Sequence, residues 1–340
     1  MTLPSILLTW YRANARDLPF RGAHDPYAIW VSEIMAQQTR ITAMSPYFEA
    51  FMRSFPDVAS LAAASEHDAL KAWEGLGYYS RALCLRRSAQ IITEAYEGRI
   101  PDTREALMRL PGVGDYTAGA ILSIAFGRRE PAVDGNVLRV WARVVNNHAD
   151  ISQPATKKAA WAWVYDLMGN ETPGDVTQAL MELGALICVP KSPRCGECPF
   201  VGLCAARAIG QEGVLPVKPA KKPHRVESHP VLMIFDPDDH VFMRRRQETL
   251  LRGLWEFPSE TPSGVKILSC DPLGKATHTF THIKWEMDGY LCQAGASDAS
   301  KLPENCVWAD AALFDSLAIP SAFRAFRSLV LKKFNARESL

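Results

Sequence analysis

Residues 188–204 read CVPKSPRCGECPFVGLC, which places Cys188, Cys195, Cys198 and Cys204 in the pattern C-x6-C-x2-C-x5-C. Thiolates are soft, negatively charged ligands, and four of them hold either a cuboidal iron–sulfur cluster or a single zinc ion. Structural zinc sites are usually built from two close C-x2–4-C pairs, and here only Cys195 and Cys198 form one. The wider outer spacings suit a cluster several ångströms across. A disulfide framework is disfavoured because residues 1–10 lack the basic-then-apolar layout of a secretory signal.

The rest of the composition bounds the class of protein. A chain of 340 residues is long enough for two or three domains, each with a core. Hydrophobic residues make up 48% and charged residues 22%, values of a globular chain that exclude wholesale disorder. Apolar runs are too short to cross a membrane as a helix. The expected setting is a reducing, cytoplasmic one, in which Cys84, Cys270, Cys292 and Cys306 are separate buried or semi-buried thiols. Net charge is only +1, so composition gives no support to nucleic-acid binding, and any such reading rests on local motifs.

Along the chain, residues 1–210 read as helices joined by short turns, with Pro46 and Pro154 at candidate helix starts. Residues 211–229 form a linker rich in proline and in basic residues (Lys218, Lys221, Lys222, Arg225), expected to be extended and solvated. From residue 230 the pattern changes. Val231–Phe235 and Val241–Arg246 flank an Asp-Pro-Asp-Asp turn, Thr277–Cys292 supplies further strands, and Ala311–Phe334 looks helical. Together they predict a second, α+β domain over 230–340.

Three motifs carry chemistry. In Leu110-Pro111-Gly112-Val113-Gly114, Gly112 and Gly114 open a helix. Read alone, they make either a tight helix–helix turn or a nest of N–H groups for a phosphate. Asp134, in Ala132-Val133-Asp134-Gly135-Asn136, lies directly before a helical run and reads by itself as an N-cap or turn aspartate. Glu33, in Ser32-Glu33-Ile34-Met35-Ala36-Gln37-Gln38-Thr39, is either a solvent-facing helix residue or a carboxyl in apolar surroundings. In the second case its raised pKa makes it an acid near neutrality.

The cysteine spacing and the L-P-G-V-G string resemble the endonuclease III superfamily of helix-hairpin-helix DNA glycosylases, in which such cysteines bind a [4Fe–4S] cluster. The string around Glu33 is similar to that of the MutY-type adenine DNA glycosylases, and this likeness extends from Trp10 to about Phe334. It implies that Glu33 protonates adenine at N7, that Asp134 stabilises the oxocarbenium ion, and that Asn136 orients Glu33 or a water. Arg21 and Gln178 correspond to contacts on the adenine edge. In Gly75-Leu76-Gly77-Tyr78-Tyr79-Ser80-Arg81, the resemblance and the residues together make Tyr79 the wedge into the base stack, helped by Gln37 or Gln38, and leave Tyr78 to the core. Arg81, Arg86 and Arg87 either meet phosphates or are solvated.

Tyr116 stands where strand-cleaving members of the superfamily carry a lysine nucleophile, which implies a monofunctional enzyme. Phe280, Thr281 and His282 match a hairpin tip that probes 8-oxoguanine. Thr281 replaces a serine, Phe20 a frequent tryptophan, and Ala36 a frequent leucine. The second domain resembles a Nudix fold without the glutamate-rich helix needed for hydrolysis.

The expected architecture is an all-α helix-hairpin-helix core (hairpin 110–121, cluster loop 188–204) plus a C-terminal α+β Nudix-like domain. The expected activity is hydrolytic release of adenine from A·8-oxoguanine or A·G pairs in duplex DNA, by a monomer associated with a bacterial nucleoid. An endonuclease III-like lyase and a non-enzymatic lesion binder are the alternatives.

Overall fold

A computed structural model describes residues 2–22, 25–219, 223–296 and 302–338, with side chains up to 336. The chain divides into two compact units, Met1–Ala63 with Arg87–Ala220, and Ala64–Arg86 with Lys221–Leu340. The helices are α1 (Leu3–Asn14), α2 (Pro26–Ala36), α3 (Ile41–Ser54), α4 (Val58–Ala63), α5 (Glu66–Ala72), α6 (Ser80–Ala95) and α7 (Arg104–Leu107). They continue as α8 (Asp115–Ile124), α9 (Gly135–Val144), α10 (Pro154–Met168), α11 (Pro173–Leu186) and α12 (Ala205–Ala208). Pro154 occupies the first turn of α10 as its sequence position predicts, whereas Pro46 lies inside α3, which starts five residues earlier.

The first unit is built around α8 and α11. Thr117 to Ser123 are all buried, so α8 is apolar on every side, as a central helix must be. Gly119 makes this possible: a Cβ there would lie 2.1 Å from the Pro131 carbonyl oxygen. Because that neighbour is backbone and cannot swing away, Gly119→Ala is expected to lower unfolding free energy by about 2–3 kcal/mol. Thermal or urea denaturation of the variant would read this directly. Between α7 and α8, Gly112 takes φ +81°, a left-handed conformation that favours glycine, and Gly114 is the N-cap of α8.

The second unit contains a six-stranded sheet in the order β3-β2-β1-β5-β4, with β6 paired to β2. Its strands are β1 (Arg225–Phe235), β2 (Val241–Arg245), β3 (Trp255–Glu256), β4 (Ile267–Thr279), β5 (Ile283–Ala294) and β6 (Cys306–Ala309). Alternation along β1 and β5 sends Val231, Met233, Phe235, Trp285 and Met287 into one core, with Phe326, Val330 and Phe334. Ile234, Cys292 and Ala294 face a second core with Phe242. Helices α13 (Ala311–Ser316) and α14 (Arg324–Glu338) close the chain.

Several sequence expectations need correction. Strand β1 begins at Arg225 rather than Val231, because residues 225–230 pair in parallel with residues 283–288 of β5. The start of the supposed linker is docked, not solvated: Leu215 is buried, its carbonyl accepts from Arg143 Nε at 2.9 Å, and Val217 O accepts from Ile151 N at 3.1 Å. Lys221 and Lys222 lie outside the described residues. Cys270 and Cys292, expected as separate thiols, face each other across β4 and β5 and are joined as a disulfide.

Residues 64–86, expected in the helical domain, group with the sheet domain. Lys71 Nζ donates to Leu317 O at 3.1 Å, and Glu74 Oε1 accepts from Arg327 Nη1 at 2.6 Å and Ile319 N at 3.1 Å. No described helix is long and apolar enough to cross a membrane.

Candidate active site and cluster loop

The first unit opens into a cavity of about 610 Å³ lined by Glu33, Tyr116, Asp134, Asn136, Gln178 and the segment around Arg21. Helix α2 delivers Glu33 from a run whose neighbours Ser32, Ile34 and Met35 are all buried. The Tyr116 hydroxyl, in the first turn of α8, donates to Glu33 Oε2 at 2.6 Å. Burial pushes the Glu33 carboxyl up to about 7, with the Tyr116 hydrogen bond opposing and the Asp134 charge adding to the rise. Glu33 is thus a carboxylic acid for a sizeable fraction of the time at neutral pH. Burial also raises Tyr116 well above the usual phenol range, so it remains a donor.

Asp134 caps α9. Its Oδ1 accepts from Val137 N at 2.7 Å and its Oδ2 from Asn136 Nδ2 at 2.8 Å. Burial prevails and leaves its pKa raised, with these hydrogen bonds and the Arg139 charge opposing the rise. The two carboxyl groups therefore sit in different environments, one with a single hydroxyl donor and one in a nest of donors.

Asn136 is bonded to Asp134 and, through Oδ1, to Arg139 Nη2 at 2.7 Å, rather than to Glu33. Arg21 lines the cavity, but its Nη2 donates to Glu182 Oε2 at 2.9 Å and its Nη1 to Arg16 O at 2.9 Å. Its buried Nε has no hydrogen-bond partner among the described residues. The Gln178 amide reaches back to Gly174 O at 3.4 Å. Gln37 Nε2 contacts Thr117 Oγ1 (3.2 Å) and Gly112 O (3.4 Å), tying the end of α2 to the hairpin, and Gln38 beside it takes φ +57°. Phe20 packs edge-on to Phe48, and Ala36 is part of the cavity wall.

Beyond α11 the four cysteines line one small cavity with Arg143, Leu183 and Phe200. Burial raises the Cys198 thiol to about 11, and the neighbouring sulfurs push it the same way. Four thiolates this close need a cationic partner. The donor set is all sulfur, with fully buried Phe200 as an apolar wall and Arg143 Nη1 3.3 Å from Cys188 Sγ. These residues fit a buried, thiolate-ligated iron–sulfur cluster.

Comparison with known proteins decides among the readings. Residues 31–165 match the HhH-GPD superfamily of base excision DNA repair proteins, residues 188–204 the iron–sulfur binding domain of endonuclease III, and residues 230–329 the NUDIX domain. The adenine DNA glycosylase of Homo sapiens is 34% identical over 392 residues, covering 94% of this chain and 72% of its own. The chain belongs to the adenine DNA glycosylase family. That of Buchnera aphidicola from Acyrthosiphon pisum is 31% identical, covering 82% of both chains. Among solved structures, a thermostable thymine-DNA glycosylase superposes with TM-score 0.56 at 29% identity, over 61% of this chain and 95% of its own. An endonuclease III–DNA complex superposes with TM-score 0.53 at 20% identity, covering 61% of this chain and 94% of its own, and supports the fold alone.

The match over residues 188–204 gives the glycosylase a [4Fe–4S] cluster, and Cys188, Cys195, Cys198 and Cys204 are the residues that would hold it. Cys198→Ala is expected to abolish the cluster's visible absorption and bound iron and to destabilise the loop, as metal ligation and folding are coupled there. Iron analysis of the purified variant checks this.

Two residues that pattern reading missed organise the glycosylase's cavity. Glu182, only 1% exposed, accepts from Arg16 Nε (2.7 Å) and Nη2 (2.9 Å) as well as from Arg21. Burial alone would raise it, but the hydrogen bonds from Arg16 and Arg21 prevail and hold it at about 2. Arg139, also buried, spans from Asn136 to the Gly184 (2.8 Å) and Cys188 (2.6 Å) carbonyls, linking the cap of Asp134 to the cluster loop. Its only sequence signal is that it is one of two arginines, with Arg143, in a mainly apolar helix.

In the glycosylase's second unit, the tyrosine pair is the reverse of the expectation. Tyr79 is 4% exposed, and its hydroxyl accepts from Gly75 N at 3.2 Å. Tyr78 is 44% exposed, and its left-handed φ of +49° turns the ring outward. Arg81, buried over the rings of Trp73 and Tyr78, and Arg86, bonded to Ala64 O at 2.5 Å, are structural groups. Phe280-Thr281-His282 form the tip between β4 and β5, closed by Phe280 N to Ile283 O at 2.7 Å. Thr281 Oγ1 lies 3.2 Å from the Tyr78 hydroxyl.

Proposed function

We propose that this glycosylase hydrolyses the N-glycosidic bond of adenine paired with 8-oxoguanine, or with guanine, in duplex DNA and leaves an abasic site. The observation that carries the reading is Glu33, a carboxyl raised to about 7 in a cavity large enough for a purine. Adenine is a poor leaving group until its ring is protonated, so an acid poised near neutrality is what its release requires. Glu33 gives its proton to N7. The C1′–N9 bond then breaks with its electron pair leaving on the base, and the Asp134 carboxylate stabilises the oxocarbenium ion. Water adds at C1′ and loses its proton to a carboxylate of the pair. Arg21 Nε, Gln178 and Asn136 are the polar groups assigned to hold the base and water, and the Gly112–Gly114 turn is assigned to a DNA phosphate.

Cys188, Cys195, Cys198 and Cys204 would hold the cluster, which when bound would tie their loop together. The chain's own Arg139 links that loop to Asn136 and Asp134. The wedge role expected of Tyr79 belongs instead to exposed Tyr78, because a buried ring cannot replace a lost base. Thr281 reads the opposite base. With its proton directed to the Tyr78 oxygen, its lone pair accepts from the N7–H of 8-oxoguanine, which guanine lacks. Phe280 and His282 flank it. We assign no nucleotide hydrolysis to the Nudix-like domain, and we expect a monomer acting on nucleoid DNA in a bacterial cytoplasm.

Tyr116 makes the enzyme monofunctional, since a phenol cannot form the Schiff base that precedes β-elimination. Borohydride trapping on an A·8-oxoguanine duplex is expected to give no covalent adduct, and strands are expected to break only after alkali. An efficient adduct with direct strand cleavage would replace this reading with a lyase.

A further inference from the structure

Thr281 and His282 are exposed at the hairpin tip, where Thr281 Oγ1 meets the Tyr78 hydroxyl at 3.2 Å and the His282 carbonyl accepts from Arg225 N at 2.9 Å. The half-buried Phe280 before them anchors the tip through its ring. Its ring packs edge-on to Trp285 (centroids 4.8 Å apart) and to His278 (4.6 Å). Trp285 is in turn held from several sides. Its Nε1 donates to Glu227 Oε2 at 3.1 Å, and the Arg246 guanidinium, paired with buried Glu256, lies over its ring. His229 of β1 stacks on it with centroids 4.2 Å apart and planes 1° from parallel.

His229 is a costly choice at this position. Its Nε2 is buried with no hydrogen-bond partner among the described residues, whereas a leucine or phenylalanine would fill the space without that loss. Burial, and then the Arg246 charge, push its pKa down to about 4, so the ring is a neutral, flat surface at physiological pH. What it contributes is one aromatic face that fixes the plane of Trp285 and, through Trp285, the ring of Phe280.

We infer that His229 and Trp285 form a positioning platform that sets where Thr281 presents its hydroxyl, and so determines how strongly the enzyme prefers 8-oxoguanine over guanine opposite adenine. This rests on the reading of Thr281 given under the proposed function. One hydrogen bond separates the two opposing bases at N7, and a tip shifted by a few tenths of an ångström loses that bond while leaving contacts common to both bases in place.

The test is single-turnover adenine release from A·8-oxoguanine and A·G duplexes by the full chain. His229→Leu is expected to lower the ratio of the two rates about tenfold, by slowing the 8-oxoguanine duplex while A·G release stays within about twofold; His229→Phe, which restores a ring face, is expected to recover most of it. Near-UV circular dichroism establishes that each variant is folded. Should His229→Leu fail to fold, Trp285→Phe carries the same prediction. A folded His229→Leu with the wild-type ratio, or with equal losses on both duplexes, overturns the platform. A wild-type enzyme with no preference between the duplexes overturns the Thr281 reading and the platform with it, and the wild-type rates alone reveal that case.

Discussion

Glu33→Gln is expected to abolish adenine release, with single-turnover rates down by about 10³-fold or more, while affinity for the mispaired duplex persists. Glutamine keeps the shape, and its carbonyl still accepts the Tyr116 hydroxyl that now bonds Oε2 at 2.6 Å. Only the transferable proton is lost. In the wild type, activity should fall as pH rises through about 7, because the raised carboxyl then gives up its proton before the base arrives.

The same shift has a stability consequence of defined sign. A carboxyl at about 7 in the folded state and 4.5 ordinarily binds more protons when folded, so stability falls between those pH values. Glu33→Gln removes this penalty. It should raise unfolding free energy at pH 8 by roughly 1–2 kcal/mol, discounted because the cavity admits water to part of the side chain, and by little at pH 4.5. An inactive variant more stable than wild type at pH 8 would identify Glu33 as a residue whose strain serves catalysis. Near-normal turnover would remove it from the mechanism.

Asp134→Asn should be nearly as damaging, with loss of about 10³-fold, for a different reason. Asparagine can still cap α9 by accepting from Val137 N, the 2.7 Å bond that Asp134 makes now, so the fold and duplex binding should survive. What disappears is the negative charge that, in the proposed mechanism, stabilises the oxocarbenium ion. Glu33→Gln and Asp134→Asn would therefore share a phenotype on rate and differ on pH. Residual activity in Asp134→Asn should keep the alkaline fall set by Glu33, and that in Glu33→Gln should not. A rate for Asp134→Asn within tenfold of wild type would demote the residue to a helix cap.

The features legible in the sequence are those whose chemistry is local. Cysteine spacing states a donor set, L-P-G-V-G states a turn, and a glutamate in an apolar run offers a raised carboxyl as one of two readings between which the fold decides. What the sequence hid depends on partners distant along the chain. Glu182 is a cavity residue only because α11 carries it to Arg16 and Arg21, more than 150 residues away. Which of two adjacent tyrosines faces outward turns on one left-handed backbone angle at Tyr78, which tyrosine does not favour and no composition rule signals. Residues 225–229 read as linker because their apolar content is low, yet pairing with β5 makes them strand. Cys270 and Cys292 are far apart in sequence and opposite in register.

The central claim is the substrate. Single-turnover base release from an A·8-oxoguanine duplex, with A·T and thymine-glycol duplexes alongside, tests it most directly. The account predicts adenine released from the A·8-oxoguanine duplex and not from A·T, no action on thymine glycol, and strand breaks only after alkali. Absence of adenine release, together with direct cutting at thymine glycol, would contradict it.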